Sequence, residues 1–147
     1  MTPLVRRYIK TSFVFLLSGL ALGGYIVVAQ FVLGFYPARL LTTTHAHLLL
    51  VGFMLLMVMG VATWMFPRPA REDTHYRPGL AEVAYWMMTI ATALRAAAEI
   101  VTAFFGLLGL RWLIALGGLG QLAGAAVFVV NMWWRVRMPP AATPPSR

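Results

Sequence analysis

From Leu48 to Phe66 the chain carries no charged residue, and two of its three histidines, His45 and His47, stand at the entrance to this run. At ~1.5 Å rise per residue such a stretch crosses most of a ~30 Å hydrocarbon layer, so it predicts a membrane-spanning helix over about 43–66. Thr42, Thr43 and Thr44 are expected to cap its first turn with their hydroxyls, and Pro67 followed by Arg68 to end it at the opposite surface. Few folds tolerate so apolar a segment. Composition places the whole chain in the same class, because 61% hydrophobic against 11% charged residues is too apolar for a soluble domain of 147 residues.

Three further runs have the same character. The first, about 11–34, follows Arg6, Arg7 and Lys10 and contains Gly19 and Gly23, a small-xxx-small pair that lets another helix approach closely. The third, about 80–108, holds Arg95 and Glu99 well inside apolar sequence. Four residues apart on a helix they face the same way and can pair, which offsets a cost of ~2.5–3.5 kcal/mol for either charge alone in hydrocarbon. The fourth, about 112–134, carries Gly117, Gly120 and Gly124, with Gln121 and Asn131 as its polar members and Trp133, Trp134, Arg135 and Arg137 as an interfacial anchor. The expected fold is an all-α integral membrane four-helix bundle, a single transmembrane domain over 1–138, with a disordered proline-rich tail over 139–147. The segment 67–79 reads as a solvated connector, with His75 an ordinary loop residue.

The net charge of +8 does not indicate nucleic acid, because the basic residues sit at the ends of apolar runs rather than along one face. Arg6, Arg7, Lys10, Arg68, Arg71, Arg77, Arg135, Arg137 and Arg147 fall on one side and only Arg39 and Arg111 on the other, which predicts both termini in the cytoplasm of a multi-pass protein of the cell's inner (plasma) membrane. His45, His47 and Glu99 then share the outer half of the bilayer. The absence of cysteine excludes disulfides, cysteine-ligated clusters and covalently attached c-type haem. No cleavable signal is expected at the N-terminus.

On a regular helix His45 and His47 point roughly 200° apart, so the pair cannot easily grip one metal. A neutral imidazole among apolar side chains is instead a good axial ligand for haem iron. Beside His45 lie Gly52, Leu56, Gly60 and Thr63, expected to leave a shallow groove for a flat macrocycle, which favours His45 as ligand and leaves His47 as the alternative. Arg95 has two prospective partners, a haem propionate and the Glu99 carboxylate. The nine methionines with the two histidines also admit a copper-binding reading, since thioether and imidazole suit Cu(I). A cofactor-free accessory or assembly subunit of a respiratory complex is the other reading.

The run HAHLLLVGFMLLMVMGVATWMFPR resembles the second membrane span of subunit I in the haem-copper oxidase superfamily, nearest its nitric oxide reductase and cbb-type oxidase branches. Gly60, Val61, Ala62 and Pro67 match the ending of that span. The resemblance implies that a histidine near the outer end, His45 or His47, is an axial ligand of haem b, and it implies work in respiration or nitric oxide metabolism, by electron transfer or by binding a gas such as NO or O2. It covers the second span only. With four spans and no histidine in three of them, the chain is not a complete oxidase or reductase, and it is expected to act as a homo-oligomer or within a larger respiratory complex.

Overall fold

The computed structural model describes residues 1–66, 77–133 and 135–136. Four helices follow one another: α1 (Pro3–Phe31), α2 (Arg39–Met65), α3 (Pro78–Phe105) and α4 (Arg111–Trp133), each long and apolar enough to cross a membrane. The chain is therefore an all-helical, multi-pass membrane protein whose outward-facing apolar surface suits a lipid bilayer. Pro67, Arg68, the connector through Tyr76, His75, Trp134, Arg137 and the proline-rich tail lie outside the described residues.

Helix ends follow local chemistry. Thr2 accepts from Val5 N at 3.4 Å, and Pro3 sits in the first turn, where its missing N–H costs nothing, so α1 begins well before the apolar run. Gly106, at φ 67°, ends α3 in a left-handed conformation that other residues resist. The threonines of the second span do not cap it. Helix α2 begins at Arg39, and Thr43 and Thr44 turn their hydroxyls back to the carbonyls of Arg39 (3.3 Å) and Leu40 (2.8 Å). Between Leu48 and Leu55 the helix widens into π turns. The apolar periodicity carries no mark of that change, because Gly52 and its neighbours satisfy either helix.

The helices alternate in direction, as their ends show. Near one end Tyr8 donates its hydroxyl to Ala81 O (3.0 Å), Arg77 N donates to Asn131 Oδ1 (3.0 Å), and Arg135 Nη2 donates to Thr63 O (3.2 Å) and Phe66 O. Arg135 is thus not an interfacial anchor: at 5% exposure it is buried, satisfying carbonyls that the end of α2 leaves open.

Two glycine seams hold the bundle. As α1 ascends, Tyr8, Phe15, Gly19 and Gly23 meet Gly60, Gly52, Leu49 and His45 in turn as α2 descends. Across the other seam Gly117, Gly120 and Gly124 of α4 lie on Arg95, Ala91 and Met88 of α3. In hydrocarbon, where burying apolar surface gains nothing against lipid, such close backbone approach supplies the packing that joins helices.

Candidate functional site

Where α2, α3 and α4 converge, a line of polar side chains crosses the apolar bundle. Arg95 Nε donates to Glu99 Oε1 at 2.9 Å, the pair expected from their four-residue spacing. Glu99 is 1% exposed, and its second oxygen accepts from the Thr44 hydroxyl at 2.9 Å. Arg95 Nη1 donates to Gln121 Oε1 (3.4 Å), and Gln121 Nε2 donates to Thr92 Oγ1 (3.0 Å). Both carboxylate oxygens are satisfied without water. Arg95 keeps its Nη2 without a partner among the described residues, at a depth where hydrocarbon offers none.

The two histidines separate. His45 Nδ1–H donates to Gly19 O at 2.8 Å, and its ring lies so close to α1 that a Cβ added at Gly23 would stand 2.5 Å from Cε1. His47 Nδ1–H donates to Thr43 O of its own helix at 3.0 Å. A carbonyl only accepts, so the proton in each neutral ring is on Nδ1 and the lone pair is on Nε2. Fixing Nδ1–H on a carbonyl in this way orients and strengthens an imidazole as a ligand.

The groove expected beside His45 is filled from within. Phe15 lies on Gly52, where a Cβ would meet its ring at 2.7 Å, and Tyr8 lies on Gly60. Gly52 therefore serves to admit an aromatic ring of α1, and a macrocycle on that flank would have to displace it. Bulky rings taking the space beside glycines leave no trace in the local sequence of α2.

Around α3, Arg95 meets α4, Glu99 meets α2, and Tyr85 and Glu82 meet α1, through Thr11 and Arg7 at 2.7 Å each. The neighbours are thus ordered α4, α2, α1. Around α2, His45 lies roughly 100° from Thr44 on the α1 flank, and His47 lies roughly 60° from it the other way. His47 accordingly lies on the side of α2 turned away from α1, while the Arg95 guanidinium turns toward α4. Gly117 and Gly118 line that guanidinium, a Cβ on Gly118 standing 3.3 Å from Nη1.

Of the residues singled out in the sequence, His47, Arg95 and Glu99 are brought to one level on neighbouring helices, while His45 and Gly52 belong to the α1–α2 seam. Thr44 and Gln121 complete the polar line; as a threonine and a glutamine in apolar runs they give only a weak signal by themselves. Among the described residues no three of His, Cys, Asp or Glu gather around a common point. No family model, curated protein or solved structure matches the chain. Fold and site together define a four-span membrane bundle with an ion pair and a polar network inside it.

Proposed function

We propose that this protein binds haem b beside the outer half of α2, where His47 Nε2 would hold it. It would serve respiration or nitric oxide metabolism in the inner membrane, by electron transfer or gas handling. The observation that carries the reading is the His47 ring itself, whose Nδ1–H is fixed on Thr43 O while Nε2 has no partner among the described residues. A macrocycle brings its own in-plane nitrogen donors, so one imidazole suffices where a bare ion needs several protein ligands. The Arg95 Nη2 edge suits a propionate. When bound, the haem would supply a one-electron couple or a gas-binding iron. The resemblance of the second span to haem-copper oxidase subunit I supports a histidine-held haem, and the seating of the His45 ring against Gly19 and Gly23 favours His47 over His45 as the ligand.

Basic residues gathered beside the N-terminus of α1 and the C-terminus of α4 support cytoplasmic termini, which puts His47 toward the outer face. The test is the visible spectrum and metal content of the purified protein. A Soret band is expected in the native chain and in His45→Ala, and is expected to be lost in His47→Ala. A band indifferent to His47→Ala overturns the assignment. Copper without a Soret band identifies a copper protein. Neither points to a cofactor-free subunit of a larger complex, a reading favoured by the packing of the His45 ring against Gly19 and Gly23 of α1.

A further inference from the structure

We infer that an open groove between α3 and α4 holds one acyl chain of a phospholipid whose headgroup carries both a phosphate and a primary ammonium, as phosphatidylethanolamine does, and that Arg7 and Glu82 hold that headgroup at its mouth. The inference is independent of the haem reading above.

The groove measures about 470 Å³, within the range of about 300–1,000 Å³ usual for a small-molecule site, and its lining is almost wholly apolar. Close approach of the two helices makes its floor: a Cβ added at Gly120 would stand 2.9 Å from Ala91 Cβ, so neither residue fills the space above the seam. Trp86, Ile90 and Leu94 of α3 and Leu116 of α4 stand beside it, all of them exposed. Leu94 lies twelve positions beyond Glu82, about 18 Å at ~1.5 Å per residue, which is close to one leaflet's half of a ~30 Å hydrocarbon layer. That is the reach of one acyl chain.

Charge selects the headgroup. Among the described residues lining the groove only Glu82 is charged, and Arg7 of α1 reaches its Oε1 at 2.7 Å. Both side chains are nearly half exposed (43% and 48%), near the helix ends where hydrocarbon gives way to water. An exposed pair of this kind contributes little to stability, so each partner is free to exchange onto a headgroup. A guanidinium matches phosphate with two N–H donors, and a carboxylate accepts from an ammonium. In phosphatidylethanolamine these two groups are separated by two carbons, so one headgroup can bridge the pair. The same carboxylate repels a headgroup that carries phosphate alone, and it gains no hydrogen bond from a trimethylammonium, which has no N–H. Trp86, one turn from Glu82 and packed edge-on against Tyr85 with ring centroids 5.1 Å apart, sets an amphipathic ring at the same level.

The experiment uses the full chain, delipidated in detergent and offered equimolar phosphatidylethanolamine, phosphatidylcholine and phosphatidylglycerol with identical acyl chains, and native mass spectrometry counts what stays bound. About one phosphatidylethanolamine per chain is expected, at several-fold higher occupancy than either rival. Glu82→Gln should remove the preference over phosphatidylcholine, and Ile90→Trp, which fills the groove from an exposed position, should lower occupancy by all three lipids. Leu17→Trp, on an exposed face of α1, should change neither. Equal binding of the three lipids by the native chain, or a preference for either rival, overturns the inference, and this comparison decides even where a substitution unfolds the protein. A preference that survives both Glu82→Gln and Ile90→Trp in chains that still melt cooperatively puts the lipid elsewhere and overturns it as well.

Discussion

Thr44 and Glu99, 55 residues apart in sequence, meet through a 2.9 Å hydrogen bond in which the threonine hydroxyl donates to a carboxylate that is 1% exposed. The same hydroxyl lies 2.8 Å from Leu40 O, so one proton is shared between two acceptors. Through this contact the turn of α2 that carries His45 and His47 is fixed in rotation against α3.

Replacing Glu99 alone with leucine should destabilise the protein more than replacing Arg95 and Glu99 together. The single change strands a cation inside the bundle, at a cost of about 3–5 kcal/mol, whereas the double change removes both charges. Thermal melting in detergent checks this. If the double variant melts lower, the pair contributes more than mutual neutralisation.

Glycine substitutions should rank by what the new methyl meets. At Gly117 it would stand 2.6 Å from Arg95 Cβ and 2.9 Å from the backbone oxygen of Ala91, neither of which can swing aside. At Gly19 the nearest atom is Leu49 Cδ2, the far end of a flexible side chain, at 2.7 Å. Gly117→Ala should therefore cost more than Gly19→Ala, within the about 1–3 kcal/mol usual for overpacking, as read from unfolding in detergent.

Arg135→Ala should destabilise the junction of α2 and α4 by about 1.5–3 kcal/mol per lost charged hydrogen bond, because Thr63 O and Phe66 O lose their donor. Lysine at this position should recover only part of the loss, since its ammonium can donate to both carbonyls but has no second terminal nitrogen to reach Met132 Sδ. Hydrogen exchange at the end of α2 reads the effect directly.

Reporter fusions at both termini should report the cytoplasm. A reporter active outside at the C-terminus would reverse the placement of His47, Arg95 and Glu99 in the membrane.

The four spans and the Arg95–Glu99 pair were legible because each rests on local sequence: long uncharged runs in one case and an i, i+4 spacing in the other. The destination of each histidine was not. His45 and His47 differ only in which helix lies beyond each flank, and that depends on how α1 and α4 dock, through rings such as Phe15 and Tyr8 that lie far away in sequence. Arg135 was misread for the same reason. Beside two tryptophans at a helix end it resembles an interfacial residue, and only the return of α2 to the same end gives it carbonyls to cap.

Because both members of the ion pair belong to one helix, α3 brings its own counter-charge into the bilayer. During biogenesis such a segment can partition out of the insertion machinery before it meets α2 or α4, since its charge is already neutralised and only one guanidinium edge still requires a partner. Insertion and assembly are thereby separable steps: Thr44 and Gln121 are recruited to a pair that already exists, and their loss should leave a helix that is inserted yet poorly docked.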